Sequence, residues 1–319
     1  MPLLTPDLLR RLEQFQLLAA RRAKSSLKGE RRSRARGQSV EFADYRNYVA
    51  GDDLRYLDWN LYGRLDRLFL KLYEEERELP VRIFLDASES MTFGTPAKFD
   101  FARQIAAAIG YVALCGFDRV SVNVFPNADC GLRTAESVTA ASDATPELGT
   151  RNSELAARGA LRSVRGRKSS LQFFQNLSVL TAGGSASFNE SLRRGALEAR
   201  QTGLAVVLSD FLDPAGYELG LNALVGRGFQ VDVVQILAPE ELAPTTFGDL
   251  RMVDSETGAL QEVTFGKFRL KAYQQSVQNY IQRLREYCSA HGITFFMASS
   301  DTALEELLLK QLRQAEVVG

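Results

Sequence analysis

The chain of 319 residues contains one histidine, three cysteines and one tryptophan, and its 39 Lys and Arg balance 39 Asp and Glu. Each scarcity excludes something. With His291 alone, no site that needs two imidazoles can form, so HExxH zinc centres and His-rich clusters are ruled out. Cys115, Cys130 and Cys288 are odd in number and lack CxxC spacing, the pattern of reduced, structural thiols in a cytoplasmic protein. No glycine-spaced GK[ST] occurs, since Gly266-Lys267 is followed by Phe268, so there is no Walker A cradle for phosphates. The longest apolar stretch, residues 106–117, is shorter than the roughly 20 residues that span a bilayer, so no membrane span is expected. The N-terminus lacks the basic-then-apolar order of a signal peptide. What remains is 45% hydrophobic and 24% charged, an ordinary globular composition with length for one large domain or two modest ones.

Zero net charge conceals an uneven distribution. Residues 1–40 hold ten basic and three acidic residues, whereas 41–80 hold six basic and ten acidic. The excess lies in RRAKSSLKGERRSRARG, residues 21–37, which could bind nucleic acid, an anionic surface or an acidic protein. No aromatics interleave with its arginines as base stacking requires, so a solvated linker or a protein contact is favoured and nucleic acid is an unlikely partner.

The pattern along the chain divides it into an N-terminal helix and basic linker over 1–39, a dense segment over 40–80, and a large domain over 81–319. Thr5 as N-cap and Pro6 at the first helical position start the N-terminal helix, with Leu8, Leu12 and Phe15 on one face. LFLKLYEEE alternates like a strand, placed at a sheet edge. Trp59, in LDWN, reads as an anchor for this annex. Beyond residue 80, short apolar runs at 81–86, 119–125, 204–210, 229–237 and 293–299 read as buried strands. Helices are expected at 98–115, near 168–179 and 188–201, at 214–226, over 265–290 and from 301, with Thr302 and Glu305 as a capping box. CGLRTAESV, 130–138, could return as an antiparallel edge strand. Strands alternating with helices imply a doubly wound, mostly parallel α/β sheet covered on both faces. A hairpin around Glu256-Thr257-Gly258, in an insert near 245–265, could pair with strands of 40–80 in a small β-rich annex.

The chemistry-bearing residues cluster at strand ends. VRIFLDASESM places Asp86, Ser88 and Ser90 directly after a strand, and alternate positions of an extended loop point the same way. LAVVLSDF ends a second strand on Asp210. TAGGSASFNE sets Ser185 and Ser187 in a glycine-rich turn before a helix. Carboxylate and hydroxyl oxygens are hard ligands suited to Mg²⁺ or Mn²⁺. The same side chains could instead satisfy backbone N–H groups in strand-to-helix turns. Asp213-Pro214 reads as an N-cap and first helical position, and Cys115 and Cys288 as core residues.

Asp86-x-Ser88-x-Ser90 followed by Asp210 resembles the metal-ion-dependent adhesion site of von Willebrand factor A-type domains. The stretch EFADYRNYVAGDDLRYLDWN…FLKLYEEERELPVRIFLDASESM, with VVLSDFLDP and DSETG, resembles the bacterial domain-of-unknown-function family number fifty-eight over residues 37–310. The resemblance implies a von Willebrand factor A-like fold with strand order 3-2-1-4-5-6, and metal ligation by Asp86, Ser88, Ser90, Asp210 and a loop hydroxyl. That hydroxyl is usually a threonine; here it falls to Ser185, because Ser187 with Glu190 suits a capping box. It also implies association with a MoxR-type AAA+ ATPase.

Together these point to a non-enzymatic, metal-dependent protein-binding module in the cytoplasm, an adaptor or co-chaperone whose Mg²⁺ captures an acidic side chain of a client or partner. A metal-dependent phosphohydrolase with Asp86 as nucleophile or metal ligand is the alternative. It is disfavoured by Ser88, where such enzymes carry a second carboxylate, and by the lack of a histidine base. Nucleic-acid or anionic-surface binding through 21–37 is a third reading.

Overall fold

A computed structural model describes residues 3–14, 40–49, 54–75, 78–126, 160–184, 187–244, 248–253, 260–265 and 267–308. The basic segment 21–37, Phe15, the 130–138 stretch, Cys130 and Ser185 lie outside these residues. The elements in chain order are α1 (Pro6–Leu12), β1 (Val40–Asn47), α2 (Trp59–Leu65), β2 (Phe69–Glu75), β3 (Pro80–Asp86), α3 (Lys98–Cys115), β4 (Arg119–Phe125), β5 (Ala160–Arg165), α4 (Ser170–Ser178), α5 (Phe188–Glu198), β6 (Leu204–Ser209), α6 (Glu218–Arg227), β7 (Gln230–Leu237), α7 (Pro239–Leu242), β8 (Gly248–Val253), β9 (Leu260–Phe265), α8 (Lys267–Ala290), β10 (Thr294–Ser299) and a last turn, α9 (Leu304–Glu306). The chain divides into two units, one of Met1–Lys24 with Leu79–Gly319 and one of Ser25–Glu78.

In the larger unit, six strands form one sheet in the order β10-β7-β6-β3-β4-β5. All neighbours run parallel except β4 and β5. Read from the β5 edge, this is the order 3-2-1-4-5-6. The antiparallel edge strand is Ala160–Arg165, well beyond the stretch at 130–138 that alternation alone suggested. The centre of the sheet is built from continuous apolar runs, as parallel strands covered on both faces require. Every residue of β6 is buried. Ile83 and Leu85 of β3 pack with α3, α4 and α1 on one face. Phe84 packs with α5 and α6 on the other, where Leu284 and Cys288 of α8 join it. Helices therefore cover both faces, and the fold is a doubly wound α/β domain. Leu8 and Leu12 bring α1 into the first layer, and Thr5 caps it by accepting from Leu8 N–H at 3.4 Å.

Other expectations are corrected. Among the described residues, β1 and β2 form one two-stranded sheet and β8 and β9 another, so the hairpin and the 40–80 segment form two separate sheets, not one annex. β2 thus lies on its own hairpin rather than at the edge of the large sheet. Trp59 is not a buried anchor: it is 64% exposed, edge-on to Tyr62, on a helix that buries no residue. The final turn starts after Ala303 without a side-chain cap, so Thr302 and Glu305 form no capping box. Ser187 precedes α5 without capping it; Asp213 accepts the Phe188 N–H instead, at 3.0 Å. Asp213 also closes a turn on Ala215 and Gly216, and α6 begins only at Glu218. Cys288 is buried, Cys115 half-buried, and His291 ends an exposed turn stacked on Tyr287. Among the described residues, no helix is long and apolar enough to cross a membrane.

The second layer closes tightly because α5 presents a glycine to the sheet. A Cβ on Gly195 would lie 2.3 Å from the Phe84 ring, and Phe84 is fully buried. Gly195→Ala is expected to lower stability by roughly 1–3 kcal/mol through overpacking. A shift in the urea midpoint at unchanged slope checks this.

Candidate functional site

The site forms where the sheet reverses its winding. β3 and β6 are adjacent parallel strands, and the chain leaves their carboxyl ends in opposite directions, the place where open α/β sheets bind ligands. Side chains alternate along a strand, so Asp86 follows Phe84 onto the α5–α8 face. Ser209 ends β6 one step beyond the Leu85–Leu208 pair, which sets the two side by side. Ser209 donates its hydroxyl to Asp86 Oδ2 at 2.5 Å, and Ser88 N–H donates to Asp86 Oδ1 at 2.9 Å.

From there a chain of oxygens crosses to the second carboxylate. Ser88 Oγ and Ser90 Oγ lie 3.1 Å apart, and Ser90 donates to Asp210 Oδ2 at 2.8 Å. Asp86, Ser88 and Asp210 are buried and Ser90 half-buried. Four of the five expected site residues are thus brought together. The fifth, Ser185, follows a turn that is stitched to the same loop: Gly183 N–H donates to Ala87 O at 2.7 Å and Glu89 N–H to Gly184 O at 2.9 Å.

Asp210 is held by the turn that follows it. Its Oδ1 accepts the Leu212 N–H at 3.1 Å. Phe211 sits at φ +60°, a left-handed conformation that costs a bulky residue roughly 1–3 kcal/mol. Packing keeps it there: its ring lies 5.2 Å from Phe188 and its carbonyl accepts from the Tyr280 hydroxyl. Gln235, fully buried in β7, donates to the Asp210 carbonyl at 3.1 Å.

Two residues absent from the sequence reading complete the arrangement. Lys98, with no exposed surface, places its ammonium 2.8 Å from Asp210 Oδ2 and 2.6 Å from Glu241 Oε1. Glu241 is steadied by the Ala238 N–H, which its Oε2 accepts at 2.8 Å. One signal for Lys98 was present: it opens a helix, where the positive end of the macrodipole disfavours a cation, so a carboxylate partner had to be near. Nothing in sequence linked it to Glu241, 143 residues away.

The electrostatics follow from burial. Desolvation, then the nearby charge of Asp210, raise the Asp86 carboxyl to about 7, against the lowering effect of its bonds from Ser209 and Ser88. Burial pulls Lys98 down most strongly, but Asp210 and Glu241 together carry it above the usual lysine value. Two mutually repelling carboxylates in a hydroxyl-lined recess form an oxygen-only donor set, the kind that hard divalent cations take. Asp86, Ser88, Ser90 and Asp210 therefore fit such an ion. Among the described residues, no group of three or more His, Cys, Asp or Glu is placed to hold a metal, so a centre here draws on hydroxyls as much as on carboxylates.

Comparison with known proteins places the chain in a family. The model described as protein of unknown function DUF58 matches residues 44–282. Uncharacterized proteins of Mycobacterium tuberculosis and Mycobacterium bovis are 26% identical over 265 residues, covering 81% of this chain and 74% of theirs. Among solved structures, the conserved hypothetical protein BatB of Bacteroides thetaiotaomicron aligns over 74% of this chain and 98% of its own, at 12% identity and a TM-score of 0.38. An aerotolerance-related membrane protein of Bacteroides fragilis covers 75% and 98%, at 14% identity and the same TM-score.

The raised Asp86 value has a consequence for stability. Between about pH 4 and pH 7 the folded chain keeps a proton that the unfolded chain has lost, so this group lowers stability as pH rises across that window, and the deficit persists above it. Without metal, Asp86→Asn is therefore expected to be more stable than the parent at pH 8, by roughly 2–4 kcal/mol, and to lose that advantage towards pH 4. Denaturant unfolding in EDTA at the two pH values measures it; an Asn variant less stable at pH 8 contradicts it.

Proposed function

The chain belongs to the DUF58 family, and from its site we propose that it is a non-enzymatic, metal-dependent protein-binding module. Asp86, Ser88, Ser90 and Asp210, with Ser185, which follows Gly184 in the sequence, hold Mg²⁺ or Mn²⁺. The observation that carries this reading is the buried Asp86–Asp210 pair in its cradle of hydroxyls, two like charges whose repulsion a divalent cation relieves. The ion, once bound, supplies a Lewis-acidic centre for a carboxylate from outside, in the manner of the adhesion sites of von Willebrand factor A-type domains. The partner's acidic side chain is the expected occupant. Phe93 and Leu212, both exposed, flank Ser90 and Asp210 in sequence and offer apolar contact around it.

Within this reading the protein serves a MoxR-type AAA+ ATPase as adaptor or co-chaperone, since the chain carries no Walker A motif of its own and ATP chemistry must come from the partner. Its place is the cytoplasm, which suits the free thiols of Cys115 and Cys288. A phosphohydrolase with Asp86 as nucleophile is less well supported. Ser88 stands where such enzymes carry a second carboxylate, and the one histidine lies in an exposed turn after α8.

The reading makes two linked predictions. Mg²⁺ should raise the melting temperature of the parent chain, increasingly from pH 6 to pH 8 as the Asp86 proton is lost, and leave Asp86→Ala unmoved. In affinity capture from a lysate of the source cells, Mg²⁺ should be required for recovery of the ATPase, and Asp86→Ala should abolish it. Equal recovery with the variant, or with EDTA, would refute the proposal.

A further inference from the structure

Lys98 is the part of the site that a carboxylate–hydroxyl centre does not need. It is buried at the first position of α3, against the preference of the helix dipole. Its ammonium bridges Asp210 Oδ2 and Glu241 Oε1. The Asp210 oxygen it holds is the one that also accepts from Ser90, so the cation sits directly behind the putting-together of the two halves of the site. Glu241 in turn cannot drift, because the Ala238 N–H fixes its second oxygen. Tyr273 is the remaining group that senses both Lys98 and Glu241, and it stays a neutral phenol.

Charge decides what this arrangement does. With all three carboxylates ionised, Asp86, Asp210 and Glu241 carry three negative charges against the one positive charge of Lys98, a net −2 that a divalent cation cancels. Without Lys98 the surroundings are −3 and the cation is overcompensated, bound tightly but repelling any further carboxylate. Without the Glu241 charge they are −1, so the cation is bound weakly and remains electropositive. At separations of a few ångströms in a recess shielded from water, one such unit charge changes affinities by at least about tenfold.

Resting on the metal-binding reading above, we propose that Lys98 is a built-in counter-cation that sets the charge of the centre, weakening its hold on the divalent ion so that the bound ion still accepts an acidic group from a partner. Lys98 is thus a positioning and specificity-determining residue, and Glu241 is the group that shares it.

The test separates the two affinities. Mg²⁺ binding is measured by calorimetry at pH 8, and acetate binding to the Mn²⁺-loaded chain by water-proton relaxation, for the parent, Lys98→Met and Glu241→Gln. Lys98→Met should bind Mg²⁺ at least about tenfold tighter and acetate at least about tenfold more weakly. Glu241→Gln, which keeps Lys98 and guards against a Met variant that fails to fold, should shift both affinities the other way. If the parent binds Mg²⁺ but the folded variants match it, or both variants shift in the same direction, the inference is overturned while the metal site stands. If the parent binds no cation, the metal reading fails and the inference fails with it.

Discussion

Two carboxylates that repel each other and one buried ammonium hold this site in its form. Asp86 ends β3 and Asp210 follows the last residue of the neighbouring β6, so strand pairing and the turn after β6 together bring them close. The repulsion is distributed in two directions. On one side, Ser209 and Ser88 donate to Asp86; on the other, Lys98 and Ser90 donate to the same oxygen of Asp210. The rest of the local structure serves to keep these donors in place: the left-handed turn at Phe211, the Gln235 bond to the Asp210 carbonyl and the tether of Glu241 to Ala238. A buried lysine at a helix start is unfavourable by itself, and it persists because two carboxylates over-satisfy it.

This arrangement links stability to function. A site that keeps like charges buried sacrifices folding free energy, as centres built to hold ligands commonly do. The tight packing elsewhere compensates. The continuous apolar strands, α3 with its run of buried small residues, and the close contact of Gly195 with Phe84 supply a rigid frame, which lets the carboxyl end of the sheet hold its strained geometry.

Much of this was legible in the sequence. Apolar runs of strand length alternating with amphipathic segments located five of the six strands of the large sheet and most of its helices, and the Asp-x-Ser-x-Ser run located one half of the site. Edges were less legible. The antiparallel strand at 160–165 has the weak alternation of an exposed edge, and nothing local distinguishes it from a loop. The hairpin at 248–265 and the strands at 40–75 carried strand patterns, but pattern alone does not say which strand pairs with which, and they formed separate ribbons. Caps misled for the same reason: Ser187 and Thr302 have the right spacing, yet Asp213 reached the end of α5 first, from another loop.

By itself, then, the sequence determined the fold class, the two strand ends that meet, and the carboxylate and hydroxyl side chains gathered there, because local periodicity and residue type are properties of the chain before it folds. Only the tertiary structure decided what neutralises those oxygens. The Lys98–Asp210–Glu241 bridge joins the start of α3, the residue after β6 and the short helix α7, more than a hundred residues apart at their extremes. Such a contact is set by burial and by the side-by-side pairing of β3 and β6 at the switch point, and no spacing along the chain records it.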